Sequence, residues 1–241
     1  MNRQAQAVVL LLVGGSVLRA SLTDLYLRYV KHGLRPLLIV AGSLLVVMAV
    51  MTLWYELRGR SATHDHGSDD GHGHSAEPRV AWLLILPVFA LLLVAPPALG
   101  AYAASHAGTA LAQPASEDFP PLPAGDPVKI SMLDYASRAV FDQGKSIGTR
   151  RVEVSGFIVK GPDGQPYLTR MILTCCAADA RPIKVGLTGQ VPTGLDPDTW
   201  WKVVGKYTTK ADKDKVNGET IPYIDVLDAQ PMQAPADQYE T

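Results

Sequence analysis

The stretch RVEVSGFIVKGPDGQPYLTRMILTCCAADA, residues 151–180, decides the fold that we predict for the second half of this chain. Apolar and polar side chains alternate over residues 151–160, and a second strand candidate covers residues 167–174. The sequence Gly-Pro-Asp-Gly at residues 161–164 favours a tight turn between them. Gly156 interrupts the alternation, which predicts a bulge or a sharp bend. The stretch therefore predicts a strand pair that runs directly into two adjacent cysteines.

The rest of this half supports a small barrel. Three further strand candidates follow: residues 182–187, 200–207 and 221–227. Five short strands within about 80 residues fit a partly open Greek-key barrel of the OB type. A helix over residues 131–144, with Ser131 as its N-cap, precedes them. We therefore predict an all-β or α+β OB-like domain over residues 128–235, followed by a tail at residues 236–241.

The first hundred residues have a membrane composition. Three apolar segments predict about three transmembrane helices: residues 5–27, 37–55 and 80–101. The second carries no charge and ends in an aromatic anchor at Trp54 and Tyr55. The first segment could be a signal peptide, but the second apolar segment directly after it favours a retained helix. We thus predict a membrane domain over residues 1–101 and an extended Pro/Ala-rich linker over residues 102–127.

The distribution of basic residues predicts the orientation. Lys and Arg are absent from residues 80–128, whereas the loop before them carries three arginines. Cytoplasmic loops carry an excess of Lys and Arg. We therefore expect a multi-pass protein of the cell membrane whose C-terminal domain lies on the extracytoplasmic side.

A histidine-rich loop at residues 61–78 separates the second and third predicted helices. It carries four of the chain's six histidines: His64, His66, His72 and His74. Neutral imidazole suits zinc, copper and nickel, and short His-rich tracts are typical of metal binding. The loop predicts binding of a divalent transition metal. A solvated polar loop, or one that responds to pH, remains the alternative.

Cys175 and Cys176 are the chain's only cysteines. Adjacent Cα atoms lie about 3.8 Å apart, whereas disulfides usually need about 4.4–6.8 Å. Buried thiols, metal ligands or partners for a thiol on another chain therefore fit better than a mutual disulfide. If the segment turns helical, both cysteines lie near Asp179; if it stays extended, one sulfur alone can serve a site.

The number of donors limits what this motif can bind. A tetrahedral zinc site needs four donors, and Cys175, Cys176 and Asp179 offer three. Water, a partner protein or a distant residue would have to supply the fourth. Asp134 and His106 are candidates for the distant donor.

The membrane segment, the charged loop and the OB-like domain with its Thr-Cys-Cys-Ala-Ala-Asp-Ala motif together resemble the YcgQ-like family of permease subunits. The most specific part of the resemblance is residues 170–180, and it is supported by Gly156, Phe157 and residues 200–205. The resemblance implies partnership with a multi-spanning YcgR-like permease and a link to metal-ion homeostasis. The histidine loop does not belong to the family's shared pattern.

These observations predict a non-enzymatic membrane subunit of a permease system that handles a transition-metal ion such as Zn²⁺. Its partners would be the permease and membrane lipid. The formal net charge of −1 gives no support for nucleic-acid binding. The sequence shows no nucleophile–base–acid arrangement, so we do not expect hydrolytic catalysis. The alternatives are a membrane-anchored docking module without metal and a thiol redox protein.

Overall fold

The computed structural model describes residues 3–59, 96–111 and 119–240. The chain divides into two compact units, Met1–Tyr26 with His32–Pro96 and Leu27–Lys31 with Pro97–Thr241. Three predicted segments lie wholly or partly outside the described residues. They are the histidine loop, the third helix over residues 80–95 and the linker over residues 112–118.

Two helices make up the described part of the first unit. Helix α1 is Arg3–Leu22 and α2 is Arg35–Gly59. The first predicted helix extended to residue 27, but α1 ends at Leu22 and a 3-10 turn over Asp24–Arg28 follows. A carbonyl at the C-terminal end of α1 receives a side-chain hydrogen bond, because Arg35 Nε donates to the backbone carbonyl of Ser21 at 2.9 Å. Carbonyls in the last turn of a helix have no partner within the helix.

One helix among the described residues is long and apolar enough to cross a membrane. It covers His32–Arg58, with a mean hydropathy of 2.5. The helix over Gln6–Leu22 is apolar but shorter. Length and composition support one N-terminal span; the predicted three-helix membrane domain is not confirmed by the described residues.

Glycines allow α1 and α2 to pack closely. A Cβ placed on Gly14 would lie 2.9 Å from Leu45 Cβ and 3.1 Å from the carbonyl oxygen of Gly42. One placed on Gly42 would lie 2.9 Å from Leu18 Cγ. Small residues let helix backbones approach each other in this way, particularly in membranes.

We expect Gly14→Leu to destabilise this helix pair by about 1–3 kcal/mol, because the new side chain overpacks the contact with α2. The adjacent Gly15→Leu is a matched control, since a Cβ at Gly15 meets nothing within 4 Å. Thermal unfolding of the full chain in detergent, followed by helical circular dichroism, measures the difference. Equal midpoints for the two variants would show that the helices do not meet at Gly14.

A closed five-stranded barrel forms most of the second unit. Within residues 119–240 the strands are β1 (Val128–Lys129), β2 (Val152–Lys160), β3 (Pro166–Ile172), β4 (Arg181–Gly189), β5 (Trp200–Lys213), β6 (Thr220–Met232) and β7 (Tyr239–Glu240). Strands β2 to β6 pair in the order β2-β5-β6-β4-β3, and β3 pairs with β2 to close the barrel. Within these five strands the pairings are antiparallel except for β4 with β6, which are parallel. The predicted five-stranded barrel is thus confirmed.

Gly156 marks the corner of β2. Strand β2 pairs with β5 from Val152 to Phe157, and with β3 from Phe157 onward. A Cβ at Gly156 would lie 2.5 Å from the carbonyl oxygen of Thr169 on β3. The glycine therefore permits a close backbone approach where the strand changes partner. The pairing register of β2 shows no bulge at this point.

Helix α4 (Met132–Phe141) packs against the barrel core. The sequence predicted a helix here, over residues 131–144, and the observed helix ends three residues earlier. Ser131 is its N-cap and accepts from the Asp134 N–H at 2.9 Å. The buried face of α4 carries Met132, Tyr135, Ala136 and Ala139, which join the inward-facing residues of β2, β3, β4, β5 and β6 in one core. Tyr135 Oη donates to the Tyr223 carbonyl at 2.7 Å, and burial raises the pKa of the Tyr135 hydroxyl.

The predicted extended linker differs from the structure at its start. Helix α3 (Ala101–His106) lies there, and its Ala101 and Ala104 are buried in a second apolar cluster with Phe157 and Trp200. Farther along, the Ala110 N–H donates to the Pro182 carbonyl at 2.8 Å. The short alanine side chains let this segment pack on the barrel instead of standing free of it.

Candidate metal centre

The cysteines lie in a short connection between β3 and β4, residues 173–180, which we call the cysteine loop. Its start is fixed by the chain's end, since β7 pairs in parallel with β3 and the Leu173 N–H donates to the Glu240 carbonyl at 2.9 Å. After Cys176, which is extended at φ −151° and ψ 170°, the chain makes one 3-10 turn over Ala177–Asp179. The loop thus reverses direction between two buried strands.

Asp179 folds the loop back on itself. Its two carboxylate oxygens accept from the N–H groups of Thr174 at 3.1 Å and Cys175 at 2.8 Å. The Sγ atoms of Cys175 and Cys176 lie 3.6 Å apart. Ligand atoms of the two cysteines and Asp179 all lie within 4.8 Å of one another. The structure therefore brings all three predicted residues together, although Cys176 itself is extended.

The site is accessible to solvent. Cys175 is exposed, whereas Cys176 and Asp179 are half-buried. Both thiols are free. An ion could reach the three side chains without opening the barrel.

The carboxylate holds the Cys175 thiol in its protonated form. A hydrogen bond to Asp179, then one to Cys176, raises the pKa of the Cys175 thiol to about 11. The same hydrogen bond from Cys175, aided by backbone N–H groups, lowers the pKa of Asp179. At neutral pH the site therefore carries a carboxylate beside a neutral thiol, and a metal ion that binds Cys175 must displace a proton.

The segment Leu27–Lys31 forms one side of the cysteine loop. Val30 makes an antiparallel bridge with Cys176. The Ala177 N–H donates to the Tyr29 carbonyl at 2.7 Å, and the Lys31 N–H donates to the Cys175 carbonyl at 3.1 Å. The sequence does not predict this contact, because its apolar pattern assigns residues up to 27 to a membrane helix. No local sequence signal pairs these residues with a loop far along the chain.

The other predicted ligands lie elsewhere or outside the described residues. Asp134 forms an ion pair with Arg138 at 2.9 Å, and His106 Nδ1 lies 2.8 Å from the Tyr102 carbonyl oxygen. Neither belongs to the cluster, which within the described ranges has three His, Cys, Asp or Glu members. The four loop histidines fall among residues that the structure does not describe: His64, His66, His72 and His74.

Comparison with known proteins gives one result. The model of the DUF1980 C-terminal domain matches residues 138–240. This range covers the barrel strands β2 to β6, strand β7 and the cysteine loop. No curated protein matches the chain, and no solved structure matches it.

Proposed function

We propose that this protein is a non-enzymatic membrane subunit of a permease system, and that its barrel binds a transition-metal ion such as Zn²⁺ through Cys175, Cys176 and Asp179. One observation carries the proposal, the spacing of the two sulfurs. Two sulfurs bound to one tetrahedral zinc, each at about 2.3 Å, stand about 3.8 Å apart. The Sγ–Sγ distance of 3.6 Å is close to this value, so an ion could bind with little rearrangement.

The incomplete donor set supports transfer of the ion. Structural zinc sites are closed by four protein donors, whereas this cluster offers three among the described residues, and Cys175 is exposed. Water or a partner's side chain would complete the coordination. A fourth position left open to a partner suits a subunit that receives an ion and passes it on.

The raised pKa of the Cys175 thiol disfavours a role for Cys175 as a redox nucleophile. Reactive cysteines have a lowered pKa, because the thiolate is the nucleophile. The pKa of Cys175 is raised instead, to about 11, by the neighbouring Asp179. Cys175 is therefore a weak nucleophile near neutral pH, and an ion that binds it must displace the thiol proton.

The membrane role is supported by the length and apolar composition of the helix over His32–Arg58. We propose that the chain crosses the membrane more than once, with the barrel of OB-like strand order outside the cytoplasm. In this scheme the barrel docks on a multi-spanning YcgR-like permease, as the resemblance to the YcgQ-like family implies. The histidine loop would gather metal for the system.

We expect the reduced full-length chain, with all four loop histidines changed to alanine, to retain about one equivalent of Zn²⁺ after desalting. In this background Cys175→Ser and Cys176→Ser should each lower zinc affinity by more than about 100-fold. Loss of a residue that only supports a metal ligand lowers affinity by about 10–100-fold, and loss of a ligand itself should lower it further. Competition with a chromophoric chelator measures the affinity. Because binding displaces a proton from Cys175, affinity should also rise from pH 6 to pH 8.

Asp196→Asn provides the control for general loss of charge, since Asp196 is exposed and lies outside the cluster. It should leave zinc affinity unchanged. A folded, reduced and metal-free chain after incubation with zinc would overturn the metal site and favour a docking module without metal.

A further inference from the structure

A cavity lies in the barrel unit, lined by residues that the metal site does not use. Its volume is about 280 Å³. It lies where the β2–β3 connection, residues 161–165, meets the β5–β6 connection, residues 214–219, and the end of α3 contributes His106 to its wall. We call it the basic cavity.

An exposed ion pair links the two connections, since Lys215 Nζ lies 2.5 Å from Asp163 Oδ2. The strand order makes the β2–β3 and β5–β6 connections the first and last hairpins of the five-stranded barrel. In OB-type barrels the loops at these two places flank the ligand-binding face. The cavity therefore occupies the position at which this architecture presents ligand sites.

Positive charge exceeds negative charge in the lining. Four lysines line the cavity: Lys160, Lys184, Lys213 and Lys215. The carboxylate of Asp214 pairs with Lys184 at 2.9 Å, and that of Asp163 pairs with Lys215. Lys213 Nζ donates to the neutral Thr220 Oγ1 at 3.0 Å. Among the described residues, Lys160 and Lys213 have no carboxylate partner within ion-pair distance, which leaves two positive charges.

The walls and the size restrict the ligand. Val159, Pro162, Tyr167 and Ile221 give the cavity an apolar and aromatic side. Ligand cavities commonly measure about 300–1,000 Å³, so this one suits a small molecule. A ligand with a compact double negative charge and a small organic part fits both the surplus lysines and these walls.

We propose that the basic cavity binds a small phosphate monoester, with its dianionic phosphate between Lys160 and Lys213 and its organic part against Tyr167. Lysine binds phosphate as a point charge, and two such charges balance a dianion. The buried Lys184–Asp214 pair forms a neutral floor and fixes the position of the β5–β6 connection. This inference is independent of the metal site, because the two sites share no residue.

The test uses the full-length chain in detergent and phosphate-free buffer, with glycerol 3-phosphate as the probe in titration calorimetry. We expect saturable binding, reduced about tenfold by Lys160→Gln and by Lys213→Gln, since each removes a charged hydrogen-bond donor. Both lysines are exposed, so the variants should unfold at the wild-type temperature. Lys145→Gln makes the same charge change at another exposed position and should bind like wild type.

Three results would overturn the proposal. The first is the absence of saturable binding by the wild-type chain. The second is an equal loss of affinity in Lys145→Gln and in the two cavity variants, which would indicate a nonspecific effect of net charge. The third is tighter binding of succinate than of glycerol 3-phosphate, which would assign the cavity to dicarboxylates.

Discussion

Replacing Asp214 with alanine is expected to destabilise the barrel by about 3–5 kcal/mol, the effect of removing one partner from a buried ion pair. Asp214 and Lys184 are 4% and 5% exposed, so the lysine ammonium would remain buried without its counter-ion. The lost carboxylate also accepts from the N–H groups of Thr109 at 2.7 Å and Val216 at 2.9 Å. The substitution would therefore release both the β5–β6 connection and the segment that follows α3.

Hydrogen–deuterium exchange of the full-length chain measures this loss. Protection of the β4 and β6 amides should fall by about two to four orders of magnitude, if those amides exchange through global opening of the barrel. The matched control is Asp163→Ala, which breaks the exposed ion pair with Lys215 and should have an effect of about 0–1 kcal/mol. Similar losses in the two variants would contradict a special role for the buried pair.

The contribution of Asp214 to the stability of the folded barrel should depend on pH. Burial alone would raise the pKa of this carboxyl, but hydrogen bonds from Val216, Lys184 and Thr109 together lower it below the ordinary 3.8. A carboxyl whose pKa is lowered by folding stabilises the folded state above its unfolded pKa, and this stability is lost as the pH falls through the folded pKa. The wild-type barrel should therefore lose stability below about pH 4 more steeply than Asp214→Ala.

Local patterns were sufficient to predict the barrel. The alternation in the first half of β2, the turn at residues 161–164 and the Ser131 cap each depend on residues close together in sequence, and the structure has each of them. From Gly156 to Val159 the alternation is lost, because residues on both faces of the strand are buried. The pairing of β7 with β3 could not be predicted from local patterns. Strand β7 was predicted to be part of a tail, because two residues carry no alternation and gain their partner from β3, which lies far away in the sequence.

The candidate site was predictable in part for the same reason. Cys175, Cys176 and Asp179 lie within one turn of chain, so their spacing alone suggested that they meet. The strand-like contact between Val30 and Cys176 joins residues separated by more than half the chain. The basic cavity likewise collects lysines from four strands and connections, and each of them alone resembles an ordinary surface lysine.

Strand β7 links the barrel's stability to the cysteine loop through Glu240. The Glu240 carboxylate accepts from the N–H groups of Met132 at 2.8 Å and Leu133 at 2.9 Å, at the start of α4. It also lies 3.7 Å from the Nε of Arg170. Arg170 is largely buried, with its guanidinium 4.9 Å from the centre of the Trp200 ring, and burial lowers its pKa. Glu240 is therefore the carboxylate that balances a buried cation.

We expect Glu240→Ala to destabilise the barrel by about 3–5 kcal/mol, because it leaves the Arg170 charge buried and unpaired and removes an acceptor from the first turn of α4. Glu240→Gln should keep part of the hydrogen bonding to the first turn of α4 but lose the ion pair with Arg170. Its stability should therefore lie between those of the wild-type chain and Glu240→Ala. Glu219→Ala, at an exposed position, should change stability by less than about 0.5 kcal/mol. Urea denaturation of the full-length chain measures the stability of all three variants. Hydrogen–deuterium exchange of the β3 and β4 amides shows where protection is lost.

The same variant tests whether the cysteine loop depends on the chain's end. Because the Glu240 carbonyl accepts from the Leu173 N–H at 2.9 Å, displacement of β7 frees the residue that precedes Thr174. The Thr174 and Cys175 N–H groups would then bind Asp179 less firmly, and zinc affinity should fall about 10–100-fold, as when a partner outside the ligand set is lost. Unchanged zinc affinity in a Glu240→Ala chain that has lost protection in β3 would show that Asp179 alone organises the loop.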